Sequence, residues 1–143
     1  MTAVYSLDAA ISSFFEINTS ATRQQCDDFA LHHAGGPLDP VPIQGTFSYT
    51  VTAGENKSKI FQFRTQDSSI DTSMIDLAKT AHPQFVASCR YHGTIGLRQP
   101  LHIYEMDNLP GAAYIMARNI SIVQPPDYIS RQFNIVKDLA KYI

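Results

Sequence analysis

The N-terminal part of the sequence repeats its apolar residues at helical spacing. A first helix is predicted to start at Ser6 or Asp8, because either side chain can accept hydrogen bonds from the free N–H groups of a first turn. A second is predicted from Thr22 to His33, with Gln25 placed to complete a capping box. We therefore expect two N-terminal helices within residues 1–36.

The middle of the chain changes to a period of two, which is typical of strands. Apolar and polar residues alternate on both sides of a polar, Gly-containing loop in "FSYTVTAGENKSKIFQF", which predicts a hairpin. Helical spacing then returns between a cap at Ser69 or Asp71 and the helix-breaking Pro83. The hairpin is thus followed by a third helix.

Two strands and a last helix are predicted in the final part. The first strand runs from about Val86 to Tyr91 and ends in a turn at residues 92–93; the second lies in "PLHIYEMD". A further apolar run, Tyr114 to Ala117, follows the next turn, and prolines at residues 125–126 precede the helix. This order predicts an α+β fold with helices against a mostly antiparallel sheet.

The length of 143 residues suits one domain and is too short for two ordinary ones. We assign the N-terminal helices to residues 1–36, the sheet with its one helix to residues 41–118, and the last helix to residues 125–143. Charged residues make up only 17% of the chain, so we expect part of the surface to be hidden against a partner.

Charge, hydropathy and cysteine spacing exclude several classes. A net charge of -2 with scattered Lys and Arg gives no electrostatic basis for binding nucleic acid. The sequence contains no run of about 18 apolar residues and no positive n-region, so neither a membrane segment nor a signal peptide is expected. Cys26 and Cys89 match no metal-ligand spacing, which predicts free thiols, no metal site and a cytoplasmic location.

Five segments of the chain show a resemblance to a known family: "QGTFSYTV", "FQFR", "YHGT", "PLHIYEMDNLPGAAYIMAR" and "RQFNIVKDLA". In these segments the chain resembles the fungal branch of the aminoglycoside phosphotransferase and choline kinase-like family. Together they cover roughly residues 22–143. The resemblance implies the N-terminal lobe of a kinase-like phosphotransferase, with an acidic hinge after its last strand.

The resemblance also implies where a ligand would bind. Gly45, Thr46 and Ser48 match the turn that covers nucleotide phosphates. Arg64 stands where such kinases place the lysine that reaches the phosphates, and Asp76 lies on the helix that carries that lysine's acidic partner. The hinge backbone would hold an adenine ring. The hinge residues are Glu105, Met106, Asp107 and Asn108.

ATP with Mg²⁺ is the cofactor that the resemblance implies if the family's site is retained; otherwise none is required. Phosphoryl transfer needs a positioned base and metal-binding acidic groups, which in this family lie in a second lobe after the hinge. No His-x-Asp segment follows Asn108 in this sequence. We therefore expect a truncated domain that binds a small molecule or nucleotide and transfers no phosphate by itself.

An alternative is a repurposed small enzyme that performs acid–base chemistry on a metabolite, such as a cyclisation, dehydration or isomerisation. Imidazole and phenol groups, which are suited to proton transfer, occur together at Tyr91-His92 and again at residues 102–104. The candidate catalytic residues are Arg64, Asp76, His102 and Tyr104.

A third possibility is a non-catalytic interaction partner. A lobe without its second half leaves an apolar face exposed, and such faces normally become interfaces. We expect a homodimer formed through that face. The apolar side of the last helix consists of Ile129, Phe133, Val136 and Leu139.

Several candidate residues also have simpler interpretations. Gly45 can be an ordinary glycine of a strand turn. Arg64 can form a surface ion pair with Asp67. Glu105 and Asp107 can be solvated acids at a strand end.

Overall fold

The structure, a computed structural model, describes residues 4–111 and 127–141. The chain divides into two compact units, Met1–Leu109 and Pro110–Ile143. The first unit contains the sheet, and the described part of the second contains one helix. The single domain expected over residues 1–143 stays a prediction.

The described strands form one antiparallel sheet. The elements are α1 (Leu7–Asn18), α2 (Arg23–Ala34), β1 (Asp39–Pro40), β2 (Ser48–Ala53), β3 (Lys59–Arg64), α3 (Thr72–Ala81), β4 (Cys89–Ile95), β5 (Leu101–Asp107) and α4 (Tyr128–Ala140). The strand order is β1-β2-β3-β5-β4, and every neighbouring pair is antiparallel. The predicted α+β class is therefore confirmed. Within the described ranges, no helix is both long and apolar enough to cross a bilayer.

Local capping sets the start of the first three helices. Ser6 caps α1, and its side chain accepts a backbone N–H of the first turn. At α2 both arms of the capping box form, because Thr22 accepts from the N–H of Gln25 while the Gln25 side chain accepts from the N–H of Thr22. Asp71, rather than Ser69, caps α3. These starts agree with the sequence predictions, since each depends on neighbouring residues only.

β4 differs from its prediction. The strand begins at Cys89 and continues through residues 92–93 to Ile95, so the turn predicted there is wrong. A register shift between Tyr91 and Gly93 makes His92 an extra residue, as in a β-bulge. Gly93 has a φ of 99°, a conformation that residues with a side chain rarely adopt. Gly93 therefore allows the backbone conformation of a bulge within the strand.

One face of the sheet, the helix-covered face, packs against α1 and α2. Ile11 and Phe14 of α1 and Cys26 and Ala30 of α2 belong to the same buried cluster as this face. The fully or almost fully buried side chains of the strands are Tyr49, Val51, Ala53, Phe61, Phe63, Leu101 and Ile103.

The other face, the second face, carries the alternate residues of the same strands, because successive side chains of a strand point to opposite sides. Strand register defines its rows across β2, β3, β5 and β4. These are Ser48–Arg64–His102–Thr94, Thr50–Gln62–Tyr104–Tyr91 and Thr52–Ile60–Met106–Cys89.

The last helix, α4, confirms that a helix lies within residues 125–143. Its apolar residues recur at three- and four-residue spacing and therefore share one side. Residues 112–118 of the predicted sheet region lie outside the described residues. They include the apolar run Tyr114–Ala117.

Candidate functional site

The second face brings together three of the four candidate catalytic residues. Arg64 and His102 are directly opposite each other in the register of β3 and β5. Tyr104 lies two residues further along β5, on the same face. Asp76 is exposed on α3, and its negative charge contributes to the raised pKa of Cys89 after the larger effect of burial.

Arg64 is half-buried and held in one orientation. Its Nε donates to the carbonyl of Ser68 at 2.6 Å, Nη2 donates to the Ser68 hydroxyl at 2.9 Å, and Nη1 donates to Gln62 Oε1 at 2.9 Å. Among the described residues no carboxylate forms an ion pair with Arg64, so the pair considered with Asp67 is not made there. A guanidinium has more N–H groups than these bonds use. Arg64 is therefore a fixed cation with donor capacity left.

Two tyrosines and a histidine form a cluster beside Arg64, the Tyr–His cluster of Tyr91, His102 and Tyr104. The Tyr91 hydroxyl lies 2.9 Å from His102 Nδ1, and the Tyr91 ring centroid is 5.3 Å from that of Tyr104. Tyr104 is 3% exposed, and its hydroxyl accepts the backbone N–H of Ile70. Tyr104 thus anchors the approach to α3, while Tyr91, at 47% exposure, faces solvent.

The predicted phosphate turn lies directly before β2. Gly45 pairs with Ser48 in an isolated β-bridge, and a Cβ at Gly45 would lie 2.9 Å from Ser48 Oγ. The close approach therefore explains the glycine. Thr46 is exposed in this turn, whereas Ser48 is buried opposite Arg64 in the register. Gly45 and Thr46 line a depression of about 340 Å³ against α1.

The acidic side chains of the predicted hinge lie on the other side of the sheet from Arg64. Glu105 Oε2 is 2.7 Å from His92 Nε2, and its Oε1 is 3.4 Å from Lys59 Nζ. Burial raises the pKa of Glu105, but the hydrogen bond from His92 and the positive charge of Lys59 outweigh this effect and hold the pKa below its ordinary value. Lys59 also pairs with Asp107 at 2.7 Å. The interpretation as a solvated acid therefore does not fit Glu105, whose side chain is 17% exposed, whereas the Asp107 side chain, at 46%, is partly solvated and also ion-paired.

The hinge backbone is largely used within the fold. Met106 lies opposite Ile60 on one side and Cys89 on the other, so both neighbouring strands pair with β5 there. The N–H of Asn108 donates to the Ser58 carbonyl at 2.9 Å, and its side chain donates to the Lys57 carbonyl at 2.8 Å. Main-chain groups available to an adenine edge are therefore scarce in this segment.

The two groups of predicted ligand-binding residues are also far apart. Arg64 is opposite His102 and Lys59 is opposite Asp107, a separation of five residues along β5, or roughly 17 Å. Glu105 and Asp107 point to the helix-covered side, whereas Arg64 and Met106 belong to the second face. The structure therefore separates the predicted phosphate end from the acidic side chains of the hinge.

Sequence reasoning missed Lys59 and the contribution of Tyr91 to the cluster. Lys59 is distant in sequence from Glu105 and Asp107, and Tyr91 is distant from His102. No local sequence pattern indicates either contact. The structure describes no group of three or more His, Cys, Asp or Glu side chains that could hold a metal ion. Both cysteines are free, and burial raises the pKa of each thiol.

Comparison with known proteins found no match: no protein-family model, curated protein or solved structure matches this chain. The resemblance to the aminoglycoside phosphotransferase and choline kinase-like family therefore stays a prediction. Conclusions about function depend on the geometry of the described residues.

Proposed function

We propose that this chain binds an anionic small molecule with a planar ring on the second face of the sheet. The proposal is supported chiefly by the state of Arg64. It is half-buried, held by three hydrogen bonds and paired with no described carboxylate. A partly desolvated cation favours an anion beside it. Because the guanidinium is already held in place, binding costs little side-chain entropy.

The ring of the ligand is proposed to lie against Tyr91 and His102. Tyr91 is 47% exposed and its ring centroid lies 5.6 Å from that of His102, so the two offer adjacent aromatic surfaces. A nucleotide combines phosphate and ring and is therefore the first candidate ligand. In this proposal its phosphates contact Arg64 and its base contacts the Tyr–His cluster, while the hinge side chains keep their ion pairs. We expect no phosphate transfer by this chain alone.

Replacing Arg64 by glutamine is expected to weaken ATP binding about 10-fold or more. Charge-assisted hydrogen bonds contribute roughly 1.5–3 kcal/mol, and 1.4 kcal/mol corresponds to a factor of ten in affinity. Arg64→Lys keeps the charge but loses the planar fork, so we expect an intermediate affinity. Isothermal titration with ATP, with and without Mg²⁺, measures the change, and circular dichroism checks that each variant is folded.

Arg90→Gln is the matched control. Arg90 is an exposed cation of β4, and its cross-strand partner is Glu105, so it belongs to the opposite side of the sheet. Its removal is expected to leave ATP affinity unchanged. Equal weakening by both substitutions would indicate non-specific attraction, and no heat at millimolar ATP would contradict nucleotide binding.

We also propose the homodimer that the sequence predicts, with α3 rather than the last helix as its interface. Met74 and Leu77 of α3 are 60% and 64% exposed, which provides apolar surface for a partner. Leu77→Lys is expected to shift sedimentation equilibrium towards the monomer. Leu97→Lys, at an almost fully exposed leucine between β4 and β5, is expected to have no effect. The mass of a single chain over a wide concentration range would rule the dimer out.

A cytoplasmic location is likewise a proposal. It is supported by the free thiols of Cys26 and Cys89, which are typical of a reducing compartment. Recovery of the protein in a secreted or membrane fraction would contradict it.

A further inference from the structure

We propose that His102, positioned by Tyr91, is an acid–base catalyst for the keto–enol tautomerisation of an aryl 2-oxo acid bound through Arg64. This inference rests on the proposed function, because the substrate carboxylate is the anion that Arg64 binds. Three observations carry it. Tyr91 and His102 share a hydrogen bond of 2.9 Å, His102 is directly opposite Arg64, and Arg64 forms no ion pair with a described carboxylate.

The hydrogen bond with Tyr91 gives His102 both roles that the reaction needs. When Nδ1–H donates to the Tyr91 oxygen, Nε2 has a free lone pair and can accept a proton. The imidazolium formed in this way carries a proton on each nitrogen, keeps its bond to the Tyr91 oxygen and can give up the Nε2 proton. Base and acid are therefore the neutral and the protonated form of one ring. Tyr91 acts only through His102 and is a positioning residue.

The reaction balances without any co-reactant. The Nε2 lone pair takes a proton from the carbon next to the ketone, the C–H electrons form a C=C bond, and the carbonyl π electrons move to oxygen. The imidazolium then gives its proton to that oxygen, which leaves the enol and a neutral His102. The positive charge of Arg64 stabilises the negative charge that develops on the oxygen, because the bonds to Ser68 and Gln62 hold the guanidinium in place.

The other histidine–acid pair of the molecule is less suited to this chemistry. His92 and Glu105 are 2.7 Å apart, but the His92 side chain is only 14% exposed. Its ring packs against Phe29 and Phe61, with centroids 5.5 Å and 6.4 Å away. A substrate cannot easily reach an imidazole enclosed in this way. His102, in contrast, hydrogen-bonds to Tyr91, which is half exposed on the second face.

The substrate class follows from what each residue recognises. Arg64 requires an anion, and a carboxylate matches the planar guanidinium fork. The aromatic surface of Tyr91 and His102 requires a ring. As a base, His102 requires an acidic C–H group between the carboxylate and the ring of the substrate. Phenylpyruvate has all three features and is the probe.

The test measures the tautomerisation rate of phenylpyruvate by ultraviolet absorbance, with deuterium exchange at its CH₂ group followed by NMR. Wild-type protein is expected to exceed an equal concentration of imidazole by about 100-fold or more. His102→Gln is expected to remove this acceleration. Tyr91→Phe is expected to lower the rate and shift its pH profile, which a purely structural role would not do. His32→Gln, at an exposed histidine of α2, is expected to change nothing.

Failure of the catalyst and failure of the binding site are distinguishable. If wild-type protein binds ATP or phenylpyruvate without accelerating tautomerisation, His102 is not a catalyst although the proposed function stands. If neither probe shifts the NMR signals of Arg64 or Tyr91, the proposed function fails as well. His102→Asn provides a second variant should His102→Gln not fold, and acceleration that survives either folded variant overturns the inference.

Discussion

Replacing Phe61 by alanine is expected to lower the free energy of unfolding by about 3–5 kcal/mol. Phe61 is 0% exposed at the centre of the helix-covered face. In register it lies opposite Val51 of β2, and its ring meets Phe29 of α2 edge-on, with centroids 6.3 Å apart. The substitution removes most of a buried ring and leaves a cavity between sheet and helix. Urea denaturation followed by circular dichroism measures the change.

Phe47→Ala is the control for this substitution. Phe47 is 58% exposed in the turn before β2, so its ring is largely in water in the folded protein. We expect a loss of less than about 1 kcal/mol. Similar losses at both positions would show that Phe61 does not occupy the centre of the core.

Replacing Gln44 by leucine is expected to cost about 2–4 kcal/mol. Gln44 is 9% exposed, and its side chain bonds only to the main chain. Nε2 donates to the carbonyls of Val41 and Thr50 at 3.0 Å and 2.9 Å, and Oε1 accepts the N–H of Thr50 at 2.8 Å. Leucine has a similar volume but removes all three bonds. The Thr50 carbonyl still accepts from the N–H of Val41, whereas the Val41 carbonyl and the Thr50 N–H lose this partner. Each buried polar group left unpaired costs roughly 1–3 kcal/mol.

Gln24→Leu provides the comparison for Gln44. Gln24 is exposed on α2, where its amide bonds to Asp28 one turn further along the helix. A helix-surface pair of this kind contributes roughly 0.2–0.5 kcal/mol. Equal denaturation midpoints for the two variants would contradict the structural role of Gln44. Because Gln44 holds the segment that leads to Gly45 and Ser48, we also expect Gln44→Leu to broaden the NMR signals of that turn.

The elements that depend on neighbouring residues were predictable. The capping box of Thr22 and Gln25 uses two side chains three residues apart, and the hairpin of β2 and β3 follows from alternation around a polar loop. β4 was less predictable. Gly93 signals a backbone with positive φ, but a turn and a bulge both use that conformation, and only pairing with β5 decides between them.

The candidate site was only partly predictable for a related reason. The types of residue were available in the sequence, including Arg64, His102 and the tyrosines. Which of them face each other depends on the register, and a shift by one residue would move every side chain of a strand to the other face. Register placed Arg64 opposite His102 and separated both from Glu105. The pairing of Lys59 with Glu105 and Asp107 spans more than forty residues and has no local signal.

By itself, the sequence determined the α+β class, the approximate helix starts and the alternation that gives the sheet two chemically different faces, because these depend on local hydrogen bonding and short-range periodicity. Only the tertiary structure decided which residues meet on each face. It gave Arg64 three hydrogen bonds to the neutral residues Ser68 and Gln62 and no described carboxylate, and it enclosed His92 while leaving Tyr91 exposed. Cross-strand register and helix packing join residues that are distant in sequence, and the site depends on these non-local contacts.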